Sequence, residues 1–160
     1  MGVGKGTTAR AFAKKYGVYN IDTDDLIASK ENKEVKKIFE KKGEVYFREQ
    51  EQITADWIES FVKGTIISCG GGFYKVNNLK KLGTVVLLDA SFEWIHNRLK
   101  TAKNSKEKLA KRPLFSDEKK AKALYKERKK SYKALADVVV DVERLTLDEQ
   151  IAFIAKKCKV

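Results

Sequence analysis

The chain is poor in the residues that staple, hinge or span. It holds two cysteines (Cys69 and Cys158), one proline (Pro113) and one histidine (His96). Two cysteines are too few for a disulfide framework or a zinc cluster. A lone histidine leaves no room for a histidine-based triad. One proline and no Ser/Gly-rich tract exclude a long flexible linker. No apolar run approaches the ~20 residues of a membrane span. Glycines and Lys5 stand where a secretory signal would carry its apolar stretch. What is there suits one compact unit: 160 residues, 18.2 kDa and 42% hydrophobic content. A cytoplasmic, reduced-compartment protein is expected.

Charge is abundant, and one-sided. The formal net charge is +12 and the pI about 9.6. Lysine runs such as Lys14-Lys15, Lys36-Lys37 and Lys129-Lys130 read as the wet faces of helices. A basic surface can also neutralise nucleic-acid phosphates. The aromatics argue against that, because they fall at helical or strand spacing and build no stacking platform. Arginine is scarce: only positions 10, 48, 98, 112, 128 and 144 carry it. In a lysine-rich chain, arginine fits places that need planar, bidentate recognition of carboxylate or phosphate.

Four short apolar stretches read as strands, at 18–22, 65–69, 84–89 and 137–141. Helical patterns lie between them at 7–16, 24–29, 35–41, 44–62, 92–99, 117–135 and 147–157. Alternation of buried strands with helices predicts an α/β fold, a three-layer doubly wound parallel sheet. Residues 100–116 lack apolar periodicity and read as a loop of the length used for lids.

The chain opens on Gly2-Val3-Gly4-Lys5-Gly6-Thr7-Thr8, followed at once by a helix. Glycines let backbone N–H groups turn around an anion. A helix N-terminus adds about half a positive charge, and Lys5 a full one. Gly4-Lys5 matches the end of the phosphate-loop pattern, but Gly6 stands at its Ser/Thr position and Thr7 follows. Such a loop normally follows a buried central strand. The first central strand is therefore expected to be absent from this chain.

Further along, Asp22 and Asp24 stand at a strand end, able to hold Mg²⁺ and to accept a proton or hydroxyl hydrogen bond. A capping role for Asp24 or Asp25 at the next helix is the plainer alternative. Arg48 and Glu51, at i and i+3, share a helix face, so the carboxylate can orient the guanidinium. Gly70-Gly71-Gly72 closes a strand where a ligand can approach the backbone closely.

These segments resemble shikimate kinase, a P-loop kinase family. The resemblance rests on Gly4-Lys5, Asp22-Thr23-Asp24, Ile38-Phe39, Gly43-Glu44 with Phe47-Arg48 and Glu51, the triple glycine, Arg112-Pro113-Leu114, and Arg128 followed by Tyr132. It spans nearly the whole chain, from Gly2 to about Asp141. It implies ATP-dependent phosphorylation of the 3-hydroxyl of shikimate, with ATP and Mg²⁺ as cofactors, in a single kinase domain, 1–160. The acceptor-binding segment would be about 24–62 and the lid about 100–117.

By the same resemblance, Gly2, Val3, Gly4, Lys5, Gly6 and Thr7 hold the nucleotide phosphates. Asp22 is the metal-associated carboxylate, with Thr7 beside it. Asp24 meets the acceptor hydroxyls and takes the proton. Arg48 and Arg128 clamp the acceptor carboxylate. Gly70, Gly71 and Gly72 line the acceptor site, Phe39 and Phe47 wall it, and Glu51 backs it. Arg112 is the lid arginine, which with Lys5 and Asp24 completes the catalytic set. Arg98, and less closely Arg144, lie on the nucleotide side. Arg10 is left as a surface residue. Gly6 implies a weakened metal site. A monomer with small-molecule partners only, binding neither nucleic acid nor membrane, is expected. The alternatives are another P-loop small-molecule or nucleoside monophosphate kinase, or an inactive N-truncated form.

Overall fold

The structure, a computed structural model, describes residues 2–101 and 117–160. The chain runs α1 (Lys5–Tyr16), β1 (Tyr19–Asp22), α2 (Thr23–Glu31), α3 (Val35–Phe61), β2 (Thr65–Ser68), β3 (Val86–Asp89), α4 (Phe92–Thr101), α5 (Glu118–Leu135), β4 (Val138–Asp141) and α6 (Leu147–Cys158). Two 3-10 turns, Phe73–Lys75 and Leu79–Lys81, lie between β2 and β3 and were not apparent in the periodicity.

Local chemistry explains the boundaries. Gly17 ends α1 with φ 67°, and its N–H reaches the Ala13 carbonyl. Asp117 caps α5 by accepting from the Lys120 N–H at 3.1 Å. Thr146 and Glu149 cap α6 reciprocally. The two helical stretches expected on either side of Gly43 are both present and meet there at a kink: its φ of 79° and ψ of 176° are not helical, so α3 is two helices joined at this residue. A positive φ at that point is what glycine tolerates.

The strands are all parallel, as the alternation predicts. They pair as β1 with β2 and β3 with β4, starting at Tyr19 opposite Thr65 and Val86 opposite Val138. Among the described residues the two pairs do not join into one sheet. A cavity of about 660 Å³ is lined by both β2 and β3, with Val3, Ile66, Ile67, Leu87, Leu88 and Ile154 among its walls.

Helices cover the strands. α1 packs on β1, β2 and α6, and α6 packs on β4. The main core joins Val3, Phe12, Phe92, Ile95, Val140 and Ile151. A second core holds Ile58 under Phe73, which is fully buried. Burying such a ring stabilises the turn after the triple glycine by about 2–3 kcal/mol. A third, Ile27, Ile38 and Phe47, fixes α2 against α3. Each core therefore sits under one wall of the site described next.

Candidate active site

The glycine-lysine loop is built to stay open at the helix end. Gly2 and Gly4 have φ of 67° and 109°, values that L side chains rarely adopt. Gly4 is the N-cap of α1 and supplies no capping side chain, so no side chain of the loop blocks the first-turn N–H groups. Arg98, from α4, packs on this loop: its Nη1 donates to the Val3 carbonyl at 2.5 Å. A Cβ on Gly4 would come within 2.7 Å of the same nitrogen. Arg98 also lies 5.2 Å from the Trp94 ring.

The triple glycine is the organising element. A Cβ on Gly70 would meet Asp24 Oδ1 at 2.3 Å. One on Gly71 would meet Arg128 Nη1 at 2.7 Å, and one on Gly72 would meet Arg48 Nη1 at 1.8 Å. Three successive residues thus each admit one polar side chain, from α2, α5 and α3 in turn. The turn is anchored at its start by the Gly70 N–H, which donates to the Thr23 hydroxyl at 2.9 Å. Lys5, Gly70, Gly71 and Arg128 line one and the same cavity.

Arg48 is held from two sides. Nη1 donates to Glu51 at 2.6 Å, while Nε and Nη2 donate to Glu44 at 3.1 and 2.8 Å. The partners differ in kind. Glu51 is 1% exposed, whereas the Glu44 side chain is 62% exposed. Burial pushes the Glu51 carboxyl up, against the pull of Arg48. Its Oε1 has no hydrogen-bond partner among the described residues. Glu51 is therefore a fixed brace and Glu44 an exchangeable one. The Phe39 and Phe47 rings lie 4.5 Å apart, tilted by 31°, each ring 6.0 Å from the guanidinium carbon.

Asp24 is buried among other carboxylates. Its pKa is raised to about 6, first by burial, then by Asp22, Glu51 and Asp25, with Lys5 opposing. That value suits a group that must accept a proton near neutral pH. Asp22 is the N-cap of α2: its Oδ1 accepts the Asp24 N–H at 3.0 Å. The capping role considered for Asp24 or Asp25 thus falls on Asp22, which leaves the Asp24 carboxylate to face Gly70. No cage of three or more metal-ligating side chains exists among the described residues. Mg²⁺ beside phosphates needs only one or two carboxylates and keeps its waters. Asp22 engages one oxygen in the cap, and Asp24 and Asp25 add negative charge beside it. This donor set fits a hydrated cation without a cage, although Gly6 offers no hydroxyl.

The structure brings together Lys5, Asp24, Arg48, Glu51, Arg128 and the three glycines. Thr7 is exposed in the first turn of α1. Arg144 is a different case. Its side chain is 86% exposed and pairs with Asp141 at 3.3 Å. Arg10 is exposed, as expected. Arg112 lies outside the described residues, as does most of the expected lid. Cys69 follows β2, and burial pushes its thiol up to about 12, which makes it a packing residue and not a nucleophile. Sequence reasoning missed the Glu44 contact, the Thr23 anchor and the role of Tyr132, whose hydroxyl donates to the Gly71 carbonyl at 2.6 Å. The spacing of Arg128 and Tyr132, one helical turn apart, was the available signal for the last.

The chain is similar to known proteins over nearly its whole length. The family profile described as shikimate kinase matches residues 1–159. A shikimate kinase of Helicobacter hepaticus is 38% identical over 148 residues, covering 92% of this chain and 86% of that protein. The crystal structure of shikimate kinase from Aquifex aeolicus is similar with a TM-score of 0.75 and 30% identity, over 99% of this chain and 92% of that one. That of Acinetobacter baumannii, in complex with shikimate, gives a TM-score of 0.78 at 27% identity, over 98% and 87% of the two chains.

Proposed function

The chain belongs to the shikimate kinase family, and from that premise we infer that it transfers the γ-phosphoryl group of ATP to the 3-hydroxyl of shikimate, giving shikimate 3-phosphate. One observation carries the reading at the level of chemistry: Asp24, Arg128 and Arg48 each front one of three consecutive glycines, and Arg128 and the first two of those glycines line a cavity with Lys5. Shikimate offers one carboxylate and three hydroxyls. Two guanidinium groups and one carboxylate acceptor are the matching set.

The roles in this reading are as follows. Lys5 and the first-turn N–H groups of α1, with Gly2, Val3, Gly4, Gly6 and Thr7, receive the phosphates. Asp24 accepts the proton of the attacking hydroxyl. Arg128 and Arg48 take the acceptor carboxylate, and Arg48 exchanges the exposed Glu44 for it while Glu51 keeps its grip. Phe39 and Phe47 wall the ring of the acceptor. Arg112 supplies charge from the lid, and Arg98 and Arg144 serve the nucleotide side. Asp22, with Thr7 nearby, would help the phosphates hold Mg²⁺, which would supply neutralising charge to the phosphoryl oxygens. Phosphoryl transfer asks the protein mainly for positioning and charge, which this set supplies. We place all of it in one kinase domain, 1–160, with an acceptor segment at 24–62 and a lid at 100–117. No described helix is long and apolar enough to cross a membrane. A monomer working in the cytoplasm is consistent with two free cysteines.

The test is a phosphotransfer assay offering shikimate and AMP side by side with MgATP. Shikimate 3-phosphate is the expected product. Phosphorylation of AMP with none of shikimate overturns the reading in favour of a nucleoside monophosphate kinase. In the same assay Lys5→Ala is expected to lower kcat by about 10²–10³-fold with the fold retained, because a preorganised charge at the transferring group is lost. A kcat within twofold of the parent would remove Lys5 from the phosphate site.

A further inference from the structure

The site described so far leaves one residue of its own architecture without a role. Tyr132 lies on α5, one helical turn after Arg128. Its hydroxyl donates to the Gly71 carbonyl at 2.6 Å. The same Gly71 presents its bare Cα to Arg128, where a Cβ would stand 2.7 Å from Nη1. The Tyr132 ring meets Tyr74 edge-on at 5.2 Å, and Tyr74 sits in the turn that follows the glycines. The same Cβ position on Gly71 would stand 3.8 Å from the Tyr132 hydroxyl oxygen, and the positive charge of Arg128 opposes the rise in the phenol's pKa that burial causes. The phenol oxygen therefore holds the backbone of the acceptor turn at the very residue across which the arginine lies.

We propose that Tyr132 is a positioning residue that sets the Arg128 guanidinium on Gly71 and so determines recognition of the acceptor's carboxylate. The proposal rests on the carboxylate role of Arg128 given above. A bidentate contact is sensitive to small displacements, because both N–H donors must meet both oxygens. An arginine on a helix can swing. Holding its neighbour one turn on to the turn below restricts that swing. The ring against Tyr74 supplies ordinary packing, and the hydroxyl supplies the register. The two are separable by experiment.

Tyr132→Phe keeps the ring and removes the hydroxyl. Steady-state kinetics are measured with shikimate, with its neutral methyl ester, and with ATP varied separately. The expected result is a shikimate KM raised about 5–20-fold, an ester KM within twofold of the parent, and kcat, ATP KM and Tm little changed. A merely structural role would weaken acid and ester together. Incorporation of 3-fluorotyrosine at position 132 keeps both ring and donor, and is expected to restore the shikimate KM even if the phenylalanine variant folds poorly. An unchanged shikimate KM in Tyr132→Phe, or an equal loss on acid and ester, overturns the latch while leaving the Arg128 clamp in place. A parent protein that takes acid and ester equally well overturns the clamp, and the latch with it.

Discussion

Gly72→Ala is expected to lower kcat/KM for shikimate by about 10²–10³-fold while the protein stays folded. The lesion is specific because of what the new methyl would strike. It would lie 1.8 Å from Arg48 Nη1 and 2.3 Å from Cζ, the far end of a flexible side chain. Such an end can move aside, so the backbone is not forced apart. The arginine that moves is the one braced by Glu51, and its departure leaves a carboxylate that is 1% exposed without its cation. The acceptor site thus loses a guanidinium and gains an unpaired negative charge where an acid must bind. Both changes act on the acceptor and neither touches the loop that carries Lys5. ATP KM is expected within about threefold of the parent by the same separation of sites. Gly17→Ala is the control: its φ of 67° makes a side chain strained, and nothing lies within 4 Å of the added Cβ. That variant should lose about 1 kcal/mol of stability and keep its KM values. Parallel kinetics and thermal denaturation check both. A shikimate KM for Gly72→Ala within twofold of the parent would mean that Arg48 does not need the space above Gly72.

How much of this could be read along the chain depended on whether the signal was local. The strands were legible because Ile66-Ile67, Val85-Val86-Leu87-Leu88 and Val138-Val139-Val140 are continuous apolar runs between helical periods. The brace of Arg48 by Glu51 was legible because i and i+3 share a helix face. The second brace, Glu44, obeys the similar i,i+4 rule, yet many exposed pairs in this lysine-rich chain obey it too, so the spacing alone singles out none. The alternative of a cap at Asp24 or Asp25 fell two or three residues late, since three aspartates stand within four residues and only backbone geometry chooses among them. The assignment of each glycine to one functional side chain was out of reach. It needs segments around 24, 48 and 128 to meet at 70–72, and no local pattern encodes that meeting. The division of the strands into two parallel pairs is likewise a property of what lies between β2 and β3. The motif at the chain start pointed to it only through the strand that such loops normally follow.

Asp24→Asn is expected to separate stability from activity. The carboxyl of Asp24 titrates at about 6 in the folded protein against 3.8 as an ordinary aspartate, because it is buried and faces Asp22 and Glu51. Between those two values the folded state holds a proton that the unfolded state has released. Stability therefore falls as pH rises through this window, and above it the ionised carboxylate costs the fold on the order of 2–3 kcal/mol. Glu51, also raised by burial, shifts the balance in the same direction. Asparagine carries no charge at any pH, so the variant should show a higher Tm than the parent at pH 7, with the gain shrinking toward pH 4. Activity should move the other way. If the ionised form is the one that accepts the hydroxyl proton, kcat/KM of the parent falls about tenfold per unit below pH 6, and the variant loses about 10²–10⁴-fold at pH 7. The acid limb should vanish with the carboxylate. Thermal denaturation and pH–rate profiles over pH 4–8 read both effects on the same preparations. A variant that is no more stable at pH 7, or one that keeps more than about a tenth of the parental rate on that scale, would show that the strain at β1 and α2 is not the source of the proton acceptor.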